Sequence, residues 1–212
     1  MKKIIIMLIS MMIMIPAASN AQNKALKKAL KKEYKMKKKE LSKENWKLFG
    51  STRTLDVALL SHYDKLSTLG ENGTEVLGYA SVSDSKHKNL LKQNAIANAC
   101  NTYARNTGSH VRGRTASDMG LTDSEKSEFE HFYAAYEALV EKEIRGELKE
   151  SFALIKEVSK NQIDMQVFYI VDEDAASRAR IRAFENAKKE SEIAQKYAEK
   201  VSEYIKEGFE NE

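Results

Sequence analysis

Four histidines, one cysteine, an acidic triplet and two Ser-x-x-Lys matches are the residues of this chain whose types could do chemistry. His62, His87, His110 and His131 lie far apart, with no closely spaced histidine pair and no second cysteine, so the ligand spacing of a zinc site is missing. Asp172-Glu173-Asp174 gathers three carboxylates but lacks the Gly and distal Glu of a calcium loop. Acids placed there suit the positive end of a helix dipole instead. Ser83-x-x-Lys86 and Ser85-x-x-Lys88 match an acylating-serine spacing, yet no Ser-Asp-Asn or Lys-Thr-Gly accompanies them. There is no Gly-x-Ser-x-Gly elbow and no Gly-x-Gly-x-x-Gly phosphate loop. Cys100 closes the run Ala95-Ile96-Ala97-Asn98-Ala99 and reads as a small buried residue rather than a reactive thiol. Arg178 and Arg182 share a helix face, with Asp174 and Glu185 at pairing distance in sequence, while Arg180 points away. No catalytic residue, cofactor or metal is expected, and the chain reads as a non-enzyme.

The charge is more informative. Residues 22–45 hold ten Lys and three Glu, a net of +7, whereas residues 46–212 carry 23 basic and 28 acidic residues, a net of −5. The arm has no Gly or Pro, and Leu26, Leu30, Tyr34 and Leu41 recur at helical spacing, which predicts a basic, weakly amphipathic helix. Its lysines, chiefly Lys27, Lys28, Lys31, Lys32, Lys35, Lys37, Lys38 and Lys39, are candidates for attachment to an anionic surface. The other reading of the same helix packs its Leu face on the acidic body. A nucleic-acid role is not expected, because Tyr34 and Trp46 are the only aromatics near the lysines and stacking needs more.

Upstream of the arm, Lys2 and Lys3 precede the apolar run Ile4 to Ile15, then Pro16 and the small residues Ser19 and Ala21. This is the pattern of a cleaved secretory signal, cut between Ala21 and Gln22. The run is shorter than the roughly 20 residues a membrane-spanning helix requires. An exported location, periplasmic, outer-membrane-associated or secreted, follows. Gln22 stands where a lipoprotein would have its lipidated Cys, and a lone Cys100 allows no intrachain disulfide.

The elements that position these residues follow from period and punctuation. Helices are predicted from Arg53 to Leu69, with Thr52 or Thr54 as N-cap and Leu55, Leu59, Leu60, Tyr63 and Leu66 on one face. Lys86 to Thr107 reads as a helix stopped by Gly108, and Thr122 or Asp123 opens another to about Lys142. That helix bears the aromatic face Phe129, Phe132, Tyr133, Tyr136, Leu139 and Val140, read as core or, alternatively, as a ligand wall. Strands are predicted at Glu75–Ser83, where Gly78 marks a close approach or bulge, and at His110–Ser117. A hairpin of 143–158 and 164–171 follows, the second strand apolar on both faces and so interior. A long helix from Asp172 to about Glu207 closes the chain. The expected fold is α+β: about four mostly antiparallel strands packed by helices, with an N-terminal basic helix and a long C-terminal helix. Residues 1–21 form the signal, 22–45 the arm and 46–212 one domain.

The segment Glu75–Asp118, with Gly78-x-Ala80-Ser81 in a strand and Ala97, Ala99 and Ala104-Arg105 in an Ala-rich helix, resembles the Lpp-twenty family of bacterial envelope lipoproteins. It is also similar to the N-terminal domain of the flagellar assembly T protein, and the whole mature chain to secreted proteins of gut bacteria. The resemblance spans about 75–182. It implies an α/β envelope module for assembly or surface interaction, and brings no catalytic residues with it. The function expected is therefore a non-enzymatic cell-envelope interaction module whose partner is an envelope protein or an anionic membrane surface. Two alternatives stand beside it: a small-molecule or glycan binder using the aromatic face of 129–140, and an enzyme of a type the motifs do not reveal. Oligomeric state is not set by the sequence.

Overall fold

The computed structural model describes residues 24–83, 88–159 and 161–207. The signal segment with its Ala21/Gln22 cut lies outside them, as do His87 and the middle of the Ser-x-x-Lys matches. The protein is α+β, a four-stranded antiparallel sheet between two unequal helical layers.

The chain begins with α1 (residues 24–43), which ends where Asn45 takes a positive φ of 60° and Trp46 N–H donates to the Leu41 carbonyl. A short edge strand, β1 (Lys47–Phe49), leads into α2 (Leu55–Leu69), capped by the Thr54 hydroxyl accepting from Val57 N–H. Then come β2 (Gly73–Val82), α3 (Lys88–Asp118) and α4 (Asp123–Ile144). Thr122 and Glu125 form a reciprocal capping box on α4. The hairpin β3 (Lys149–Glu157) and β4 (Ile163–Asp172) follows. The C-terminal helical run is divided into α5 (Glu173–Lys188), α6 (Glu192–Lys196) and α7 (Ala198–Glu207).

The strand order is β1-β3-β4-β2, with Gly73–Val82 paired residue for residue against Asp172–Ile163. The central position of β4 explains its two-sided apolarity. Met165, Val167, Tyr169 and Val171 enter the large core under α3 and α5, and Phe168 enters the small core under α1 and α2. A register shift between Glu150 and Phe152 changes the parity of β3: Leu148 lies in the large core, Phe152 and Leu154 in the small one. Strict alternation along 148–154 is therefore broken at that bulge.

The second predicted strand, His110–Ser117, is helical. Tyr103, Ala104, Thr107, Gly108, Val111 and Thr115 form one continuous buried stripe at spacings of three and four, so α3 runs on past the expected stop. Gly108 is the place where α3 crosses α4. A Cβ there would stand 2.2 Å from the Glu137 carboxylate. The Thr107 and Thr115 hydroxyls donate to the Tyr103 and Val111 carbonyls, so Thr115 of the expected strand is satisfied inside a helix as Thr107 is. The fourth strand comes instead from Lys47–Phe49. Gly78 does mark a close approach: a Cβ would lie 2.1 Å from the Ala95 carbonyl oxygen, so α3 rests directly on β2.

Candidate functional site

The Leu41 end of α1 is buried, and Leu26, Leu30 and Tyr34 are half-buried along the same face. The Tyr34 hydroxyl donates to Asp56 Oδ1 at 2.6 Å and Lys38 Nζ to Asp56 Oδ2 at 2.8 Å. These donors hold the Asp56 carboxyl below its usual range, Lys38 first and Tyr34 second. The Tyr34 ring meets Tyr63 edge to face, and Lys37 Nζ lies 5.7 Å above the Phe168 ring. At the foot of the helix Lys156 bonds Glu44 at 3.1 Å and covers the Trp46 ring. The apolar face of the arm thus meets the body, and its orientation is fixed by a polar clamp.

That orientation sorts the candidate lysines. Lys38 is held by Asp56, and Lys37 pairs with Glu40 and lies over Phe168. Lys28, Lys32, Lys35 and Lys39 join Lys24 and Lys43 in an exposed row with spacings of 4, 4, 3, 4 and 4 residues, on the side of α1 away from Tyr34 and Leu41. None of the six makes an ion pair with a described residue. The row spans about 28 Å at the helical rise of about 1.5 Å per residue.

Lys27 and Lys31, together with Lys35 from the row, edge a groove of about 660 Å³ between α1 and α2. Leu30 and Tyr34 line its α1 wall, and Val57, Leu60, Tyr63 and Asp64 its α2 wall. Leu60, expected on the packed face with Leu59, is 52% exposed here, and Val57 is 48% exposed. The packed stripe of α2 runs instead through Ala58, Leu59, His62 and Leu66.

His62 occupies an apolar position of that stripe, 0% exposed, its Nε2 2.5 Å from Glu75 Oε2. The rings of Tyr63, Phe152 and Phe168 meet it edge to face. A histidine–carboxylate pair is the core of many acid–base sites, but this imidazole is sealed from solvent among three aromatic rings between α2 and the sheet.

The second buried polar centre escaped sequence reasoning. Arg180, 0% exposed, donates to Glu173 Oε1, to the Tyr103 hydroxyl at 2.5 Å and to the Ile205 carbonyl at 3.0 Å. It ties α5 to α3 and α7. Burial pushes the Tyr103 phenol up to about 12. The signal was present: Glu173, Ala176, Arg180, Ala183 and Ala187 recur at spacings of 3, 4, 3 and 4, which puts both charges in the apolar stripe. Of the acidic triplet, Asp172 caps α5 by accepting from Asp174 and Ala175 N–H, and Glu173 meets Arg180. Arg182 pairs across to Glu143 of α4 and Glu147 of the turn after it rather than with Glu185, which meets Lys188.

The remaining candidates are accounted for by packing. Cys100 is 0% exposed and burial raises its thiol, the opposite of activation. The aromatic face of α4 is interior, with Phe129 against Tyr133 and Phe132 against Tyr136 and Phe184. Among the described residues no group of three or more His, Cys, Asp and Glu could hold a metal ion, and no helix is long and apolar enough to cross a membrane. No family model, curated protein or solved structure matches this chain.

Proposed function

We propose that the chain is an exported, non-enzymatic protein of the cell envelope that holds to an anionic surface through α1. The observation that carries this reading is the row Lys24, Lys28, Lys32, Lys35, Lys39 and Lys43, exposed and without an ion-pair partner while the opposite face of the same helix is docked on the body. Because the Tyr34 and Leu41 end of the apolar face is engaged by the body, attachment through the lysine row is electrostatic. At about 1 kcal/mol per surface-proximal lysine, six give roughly 6 kcal/mol at low ionic strength. The signal-like pattern of residues 1–21 and the envelope-module resemblance of residues 75–182 support the location.

Fractionation of cells making the native protein tests both parts together. The expected outcome is a mature chain beginning at Gln22 by mass spectrometry, retained with envelope membranes at low salt and released as salt rises. A species still beginning at Met1, or retention unchanged at about 1 M salt where the screening length is about 3 Å, overturns the proposal.

A further inference from the structure

The geometry points to a second binding site: the α1–α2 groove accepts an amphipathic helix of another protein whose polar flank is acidic. The two walls have the spacing of helix-packing surfaces. On α1 the lining positions are 27, 30, 31, 34 and 35; on α2 they are 57, 60, 61, 63, 64 and 67. Both sets step by three and four residues, which is how a helix presents one face to a neighbour. The two helices meet each other at Tyr34, Asp56 and Tyr63, and only their own residues line the groove between them. Val57 and Leu60 stand about half exposed beside Leu30 and Tyr34, an apolar floor of the kind an amphipathic helix covers with residues at i, i+3, i+4 and i+7.

Charge selects the occupant. Lys27, Lys31 and Lys35 edge the α1 wall and none makes an ion pair with a described residue. A helix seated on the floor therefore lays one flank along three free ammonium groups, and Glu or Asp at spacings of four on that flank would meet them. Asp64 on the α2 wall favours a basic or neutral residue on the other flank. A bilayer is the poorer fit, because the apolar side chains line a concave channel between two helices rather than a convex ridge. This site shares Lys35 with the lysine row and does not depend on export.

The test uses the full mature chain and a labelled 18-residue helical peptide carrying Leu at i, i+3, i+4 and i+7 and Glu along one flank. A second peptide has every Glu replaced by Lys. By fluorescence anisotropy at low salt the Glu peptide is expected to bind at least tenfold more tightly than the Lys peptide. Leu60→Asp should weaken the Glu peptide at least tenfold with circular dichroism unchanged, since Leu60 is half exposed. Lys27→Glu with Lys31→Glu should reverse the preference between peptides. Equal binding of the two peptides, or no loss on Leu60→Asp, overturns the proposal. Anionic phosphatidylglycerol vesicles distinguish the two sites. Leu60→Asp should leave vesicle binding intact, whereas Lys28, Lys32, Lys39 and Lys43→Gln should reduce it and spare the Glu peptide. If Leu60→Asp abolishes vesicle binding and neither peptide binds, the groove is a membrane face and the helix-docking proposal fails.

Discussion

The two faces of the sheet are finished to different degrees. On one, α3 and α5 lie against the strands, α4 crosses both, and α7 tucks beside α3 and α5, so a large core runs from Val76 to Ile205. Even two charged residues buried in that layer, Arg180 and Glu173, pair with each other inside it. On the other, α1 and α2 cover a core of only seven buried residues, from Leu41 to Phe168, and leave Val57, Leu60 and a row of lysines unpartnered. The contrast teaches where recognition can reside. A layer whose apolar area and charges are internally matched is a scaffold, whereas one with matching surface left over is an interface.

If that contrast is right, damage on the thick side should be global and damage on the thin side local. The largest effect is expected for Arg180→Ala, which leaves the Glu173 carboxylate stranded among α3, α5 and α7. Removing one partner of a buried pair costs about 3–5 kcal/mol. Thermal unfolding should shift as one transition, and adding Glu173→Gln should restore part of the loss, because the stranded charge is then gone. A double variant no more stable than Arg180→Ala would mean that the pair does not act as a unit.

Leu41→Ala probes the thin side. Leu41 is buried, yet it lies in the smaller layer and its neighbours can close in, so a cost near the lower end of the large-to-small range, about 2 kcal/mol, is expected. The loss should appear as faster amide exchange confined to residues 24–43, roughly 30-fold for that free energy, with α3 to α5 unchanged. Uniform acceleration across the sheet would show that the two layers form a single cooperative unit.

The difference between layers also explains what the sequence made legible. The interior strand was readable because β4 has apolar residues on both parities, and Gly78 was readable because a glycine in a strand implies a close neighbour. Residue type narrowed the α2 cap to Thr52 or Thr54, of which Thr54 caps, and marked Asp172 as the start of α5. The 110–117 segment misled because its buried residues are Val111 and Thr115, whose β-branched, strand-like character hid a four-residue spacing. The lysine row needed only a helical wheel. The groove needed tertiary structure: nothing local says that Leu60 turns outward while Leu59, one residue earlier, turns in, until α1 is placed beside α2.

The smallest expected effect compares the clamps that hold each layer's outer helices. On the thick side Glu125 is held down to about 2 by Lys196, then by Thr122 and Tyr197; on the thin side Asp56 is held low by Lys38 and Tyr34. Both are carboxylates whose folded-state affinity for a proton is lower than in the unfolded chain. Each therefore contributes stability that is fully present above its unfolded value near 4, and loses it as pH falls through the folded one. For Glu125 that window runs from about 4.5 down to about 2. Both clamps are solvent-screened, so the effects are small, but their readouts differ. Acidification should speed exchange at the start of α4 and α6 through Glu125, and along α1 through Asp56. Glu125→Gln should remove only the first dependence and Asp56→Asn only the second. If either substitution removed both, the layers would be coupled through the sheet, and α1 could not engage a partner without straining the core behind it.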